Sequence, residues 1–244
     1  MPDVRAKLNP ERNRRLHRAA ADFFFLLNGS YPRKPALELT ANRHDLDGAE
    51  RMLLGRGVFS QREALGRRAK LAVPAQWRQE LLAVDGHNVQ ITIESRLAGK
   101  WLLKANDGAL RDIAGLSARY RMSETGGVAI DLVFAFLKLF PARALLFLFD
   151  EPMSRSGELA ALYRNGLARA GLSGTAKTCA VPEREFPFDG CVVASSDRAV
   201  MDAARCWTDL ARLIIDRFCP AEITADFSGF LLARSASNCE QDHG

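Results

Sequence analysis

Three short apolar runs in this chain each end on an aspartate. Residues 81–84 (LLAV) precede Asp85, residues 144–149 (ALLFLF) precede Asp150, and residues 191–196 (CVVASS) precede Asp197. Runs of this length, bounded by turn signals, predict strands buried on both faces. After the first, Gly86, His87 and Asn88 form a tight polar turn, with His87 expected to point to solvent. Residues 89–97 alternate like a strand (Val89, Ile91, Ile93), yet their place after a buried parallel strand predicts the crossover helix. Residues 99–105 read as a loop, Asp107 as the cap of a short helix through Ile113, and Ser123 as the cap of a helix through Phe140. A helix over 156–170, a short strand over 176–181 and helices through Arg217 follow. This alternation predicts an α/β domain with a mostly parallel sheet and helices on both faces. In such sheets ligands gather outside the carboxyl ends of the strands, where the three aspartates fall.

The amino-terminal part has a different period. Leu16, Ala19, Ala20, Phe23, Phe24 and Leu27 recur at helical spacing and Asn28-Gly29 stops them. A second helix opens at Tyr31-Pro32, with Ala36, Leu37, Leu39 and Thr40 inward. A third, capped by Asp45 or Asp47, carries Ala49, Met52 and Leu53. The pair resembles a helix-turn-helix, with Arg33, Lys34, Arg43, Arg51 and Arg56 as candidate phosphate contacts. Residues 61–70 (QREALGRRAK) are polar and basic, and Pro74 marks a boundary. The organisation expected is a flexible tail over 1–9, a basic all-helical domain over 10–72, a linker over 73–79, the α/β domain over 80–220 and a tail over 221–244, in which residues 223–230 could add an edge strand.

Charge sharpens that division. Of the 34 Lys+Arg and 29 Asp+Glu, residues 1–80 hold 16 and 9, a balance of +7, which leaves residues 81–244 at −2. A basic segment beside an acidic one points to a polyanionic partner such as nucleic acid, although a solvated helical surface has the same composition. No apolar run is long enough to span a membrane and no signal core begins the chain. Five cysteines without a C-x-x-C pair, and four scattered histidines, argue against zinc and fit a cytoplasmic protein.

If the strands ending on Asp85, Asp150 and Asp197 are neighbours, their carboxylates converge. Close like charges repel unless a cation joins them, and hard oxygen ligands suit Mg²⁺ or Mn²⁺. Such an ion activates water and stabilises charge on a phosphoryl oxygen, the chemistry of phosphodiester cleavage. Each aspartate alone reads better as a helix cap, and it is three in the same topological position that point to a site. Asn88, and Ser154, Arg155 and Ser156 at a helix start, are candidates for substrate phosphate.

The stretches YPRKPALELTANRHDLDGAERMLLGRGVFS, VDGHNVQITIES, NDGALRDIAG, FDEPMSRSGELA and VVASSDRAVMD resemble a prokaryotic group catalogued as domain-of-unknown-function family 434, over about residues 12–217. The carboxy-terminal part is similar to the PIN/NYN-like nuclease superfamily. Asp85, Gly86 and Asn88 match its D-G-x-N element, and Ser195, Ser196 and Asp197 its T/S-S-D element. That resemblance implies strand order 3-2-1-4-5, which sets Asp85, Asp150 and Asp197 side by side as metal ligands, with Ser196 near substrate. It also implies a further helix acid, for which Glu94, Asp107, Asp112 and Glu124 compete and Asp112 is chosen. The function expected is an Mg²⁺- or Mn²⁺-dependent nuclease acting on RNA in preference to DNA. The alternative is a non-catalytic nucleic-acid-binding protein of the same fold.

Overall fold

Asn9 starts the first helix by accepting a hydrogen bond from Arg12 N at 2.8 Å, and Pro10 fits the first turn, where its missing N–H costs nothing. Helix α1 then runs Pro10–Asn28 in a computed structural model that describes residues 8–113, 124–220 and 223–231. Helix α2 is Arg33–Arg43, α3 is Gly48–Gly57 and α4 is Gln61–Arg68. Reciprocal capping boxes, Asp47 with Glu50 and Ser60 with Glu63, satisfy the orphan amides that open α3 and α4. Glu50 is buried and accepts from Arg12 and Arg15, so α1 and α3 are pinned at one carboxylate.

Strand β1 (Leu81–Asp85) runs directly into α5 (Gly86–Leu97), so the crossover-helix reading of residues 89–97 holds. Next come β2 (Leu102–Lys104), β3 (Leu110–Asp112), α6 (Gly126–Leu139) and β4 (Ala144–Asp150). The chain continues through α7 (Ser156–Ala170), β5 (Gly174–Cys179), α8 (Pro182–Glu185) and β6 (Cys191–Ala194). It closes with α9 (Arg198–Ala203), β7 (Trp207–Thr208), α10 (Leu210–Phe218) and β8 (Ala225–Asp226). Five strands form a parallel sheet in the order β5-β4-β1-β6-β7, third-second-first-fourth-fifth along the chain. Its β1, β4 and β6 are rich in Val, Leu and Phe, as strands covered on both faces must be. Gly86 is required where β1 meets α5, because a Cβ there would come within 2.3 Å of the Phe149 ring on β4.

Several expectations are corrected. Residues 99–105 and 107–113 are not a loop and a helix: β2 and β3 pair antiparallel, and β8 adds to β2 in parallel, giving a second sheet of order β3-β2-β8. Asp107 does not cap a helix but accepts from Ala109 N across a turn in which Gly108 has φ +96°. Strand β7 replaces part of the expected helical run, and residues 70–72, the end of the expected all-helical domain, pair along it, with Ala72 N donating to Trp207 O at 2.7 Å. Leu39 and Met52, expected inward, are exposed, while Ala41 and Leu54 are buried in their place. The residue expected to cap α6, Ser123, lies outside the described residues.

The helical unit does not close on itself. Its core of Leu16, Phe23, Leu53 and Leu54 continues into Trp101, Leu103, Ile113 and Phe227 of the second sheet and its flanks. Contact is close enough that a Cβ on Gly57 would meet the Phe227 ring at 2.3 Å. The amino-terminal part is thus helical in sequence but mixed in packing. Replacing the fully buried Phe227 by Ala is expected to cost about 3–5 kcal/mol in chemical denaturation. Amide exchange in α1 and α3 should accelerate with it; unchanged exchange there would mean that the helices stand alone.

Candidate functional site at the carboxyl edge of the parallel sheet

Register determines how the three aspartates meet. Asp85 on β1 lies opposite Leu148 on β4, so Asp150 stands two residues further along. Val84 lies opposite Ala194 on β6, which puts Asp85 level with Ser195 and Asp197 two residues beyond. At roughly 3.3 Å per residue, Asp150 and Asp197 project about 6–7 Å past Asp85 on either side of it. The middle strand stops short because Asp85 caps α5, its Oδ1 accepting from Asn88 N at 3.2 Å. Asp85 is buried, whereas Asp150 and Asp197 are partly exposed.

The D-G-x-N and S-S-D segments brace each other. Ser195 Oγ donates to Asp85 Oδ2 at 2.9 Å and accepts from Asp197 N at 3.0 Å. Asn88 Oδ1 accepts from both Ser196 N and Ser196 Oγ, at 2.9 and 3.1 Å. Asn88 and Ser196, expected to hold substrate, therefore first hold the ends of β1 and β6 together. Asp197 accepts from Ala199 N and Val200 N as the cap of α9. Burial pushes the Asp85 carboxyl up to about 7; the bonds from Ser195 and Asn88 oppose this, and the charges of Asp150 and Asp197 add to it.

His87 does not point to solvent. It is fully buried, edge-on to Phe149, with Nδ1 accepting from Asp150 N at 3.0 Å and lying 3.1 Å from Asp150 Oδ2, so it positions that aspartate. Arg155 has φ +62° and pairs with Glu158, and Ser156 Oγ donates to Glu151 O. With Ser154, these expected phosphate ligands lie outside the cleft described next. Asp112 is on β3 rather than a helix and is 3.5 Å from Arg56.

Beside Asp197 a cleft of about 300 Å³ separates this edge from the helical unit, lined by Gly55, Arg56, Phe59, Asn88, Arg111, Ser196, Asp197 and Arg198. Arg111, which was not a candidate, is buried: Nε donates to Ser196 O at 2.9 Å, and its terminal nitrogens reach both oxygens of Asp107. Arg198, also missed although it directly follows the S-S-D element, makes no side-chain hydrogen bond or ion pair among the described residues. Of the helix-turn-helix arginines only Arg56 reaches this cleft. Arg33 is turned inward, donating to Gly55 O and Val58 O. Arg51 donates to Leu46 O and Asn42, and Arg43 pairs with Asp22.

The carboxylate oxygens suit a hard cation chemically, but their present placement does not preform a site. Among the described residues no group of three or more His, Cys, Asp or Glu side chains is arranged to hold a metal ion. Two strand spacings of about 4.8 Å separate β4 from β6, and Asp85 between them is set back with both oxygens engaged. No helix among the described residues is long and apolar enough to cross a membrane.

Fold and site together define an α/β protein with a charged cleft at the carboxyl edge of a five-stranded parallel sheet. The chain belongs to the family described as "Domain of unknown function (DUF5616)", which matches residues 74–213. Residues 15–70, the helical unit, match "Protein of unknown function (DUF434)", the group expected over about residues 12–217, so that the stretches quoted beyond Pro74 fall to the other family. The chain is also similar to "Uncharacterized protein MJ0935" of Methanocaldococcus jannaschii, 27% identical over 187 residues that cover 76% of this chain and 88% of that one. No solved structure matches it.

The raised Asp85 carboxyl has a signed consequence for stability. The folded state keeps a proton that the unfolded chain releases near 3.8, so stability falls as pH rises from about 4 to 7. Asp209, which burial raises to about 6, contributes in the same direction. In metal-free buffer Asp85→Asn is expected to remove on the order of a few kcal/mol of this decline, leaving the Asp209 part. Denaturation midpoints between pH 4 and 8 check it, and an unchanged slope would contradict the raised carboxyl.

Proposed function

We propose that the carboxyl edge of the parallel sheet hydrolyses phosphodiester bonds in nucleic acid, RNA in preference to DNA, as a PIN/NYN-like nuclease. The observation that supports this reading is the placement of Asp85, Asp150 and Asp197 at or just beyond the carboxyl ends of three neighbouring strands, beside a cleft lined by Arg56, Arg111 and Arg198. The parallel sheet's third-second-first-fourth-fifth order agrees with it. Asp150 and Asp197, the more exposed pair, would face the scissile phosphate, while Asp85 and Ser195 hold the loop that carries Asp197. Arg56 and Arg198 would neutralise the phosphate charge. Mg²⁺ or Mn²⁺ would supply activated water and electrostatic stabilisation. The carboxylates would have to close around the ion, and the role of each stays that of a positioned oxygen donor.

A second reading, a nucleic-acid-binding protein without catalysis, is favoured by the absence of a three-carboxylate group among the described residues and by the full engagement of Asp85. End-labelled single-stranded RNA incubated with Mn²⁺ separates the two. The nuclease reading predicts cleavage by the wild type, loss of activity in EDTA with recovery on adding Mn²⁺, and rates lowered by about 10²-fold or more in Asp150→Asn and Asp197→Asn. Asparagine caps a helix as well as aspartate does, so Asp197→Asn keeps α9 in place. Equal cleavage by these variants would overturn the assignment, and binding without cleavage would establish the second reading.

A further inference from the structure

A second cleft, of about 550 Å³, lies on the helical unit and is lined by Tyr31, Arg33, Ser60 and Arg62 among others. The two clefts are separated by one turn of chain: Gly55 and Phe59 line the first and Ser60 the second. Arg33 links them from below, lining the second while donating to the carbonyls of Gly55 and Val58. Like the nearby Arg67 and Arg111, Arg198 acts on Arg33 as a neighbouring positive charge. The two clefts together carry Arg56, Arg198, Arg33 and Arg62 between Asp197 and Tyr31, with one carboxylate, Glu63, lining the second and engaged with Ser60.

The outer two of these arginines have no internal task. Neither the Arg62 nor the Arg198 side chain makes a hydrogen bond or ion pair among the described residues, and both residues are exposed. Tyr31 is 57% exposed and sits against the bare backbone of Gly29, where a Cβ would come within 3.3 Å of its ring. An exposed aromatic ring between arginines offers a stacking face to an unpaired base together with charge for the adjoining phosphates. Duplex bases are already stacked inside their helix and cannot use it. By contrast, Phe23 and Phe24 are buried and serve the core.

We propose that a single-stranded nucleic acid runs from the carboxylate edge across the helical unit, its phosphates held by Arg56 and Arg198 and then Arg62, and one base stacked on Tyr31. The inference rests on the nucleic-acid reading above and gives the amino-terminal helices a part in choosing substrate. Fluorescence anisotropy of a 5′-labelled single-stranded RNA, in EDTA so that no cleavage intervenes, tests it. Tyr31→Ala is expected to weaken binding about 5-fold or more, and Tyr31→Phe to keep wild-type affinity. The Arg56→Ala/Arg198→Ala and Arg62→Ala variants are expected to flatten the dependence of log K on log salt by about 0.7 for each phosphate contact removed. Arg78→Ala, at the amino end of β1, should change nothing, and a duplex of the same sequence should bind more weakly and without regard to Tyr31. Wild-type affinity in Tyr31→Ala and Arg62→Ala, alongside a loss in the Arg56/Arg198 pair, would overturn the path and leave the nucleic-acid reading standing. Duplex binding as tight as single-strand binding would also overturn it. No binding by the wild type would overturn both.

Discussion

The fully buried carboxylate of Asp107 is the joint on which the three parts of this protein meet. It accepts from Arg67 of α4 at 3.0 Å and from two nitrogens of Arg111 on β3, both at 2.9 Å. Burial alone would raise its pKa; the charges and hydrogen bonds of Arg111 and Arg67 outweigh burial and hold it below the ordinary value. Arg67, itself only 1% exposed, continues to both oxygens of Asp202 on α9. Arg111 continues to the carbonyl of Ser196. One ionised group therefore fastens the helical unit, the small sheet and the site loop. Removing a single partner of such a buried set typically costs about 3–5 kcal/mol, because the remaining charges are left uncompensated.

Phe59 completes that joint. The guanidinium groups of Arg33, Arg67 and Arg111 lie 4.6, 4.4 and 5.1 Å from the centre of its ring, an arrangement in which the face of the ring offsets crowded positive charge. The same ring lines the cleft beside Asp197. Packing and site are consequently not separable: the contacts that seat the helices also aim Arg56 toward the sheet edge and fix the loop carrying Asp197. The mutual bonds of Asn88 with Ser196, and of Asp85 with Ser195, give the loop a second anchor on β1.

The strands ending on Asp85 and Asp150, and β6, which stops at Ala194 shortly before Asp197, were legible because each is a local signal, an apolar run followed by a carboxylate. Their adjacency was legible only through the resemblance. Strands β2, β3 and β7 were not legible, since two or three residues are too few for a period to show and each exists by pairing with another segment, whereas β8 falls inside the 223–230 stretch expected to add an edge strand. The burial of His87 and the inward turn of Arg33, Arg67 and Arg111 were hidden for a related reason. Composition counts a guanidinium as surface charge, and only the fold supplies the carboxylate or carbonyl that receives it. No motif separates Asp112 from Glu94, Asp107 and Glu124, and its strand and its pairing with Arg56 come from that same tertiary context.

The proposed nucleic-acid site spans the sheet edge and the helical unit. Photo-crosslinking of single-stranded RNA carrying 4-thiouridine, followed by mass spectrometric mapping, tests it most directly. The same RNA is expected to crosslink both to the segment containing Ser196 and Arg198 and to that containing Tyr31. Crosslinks confined to one of the two, or falling at the amino ends of the strands, would contradict it.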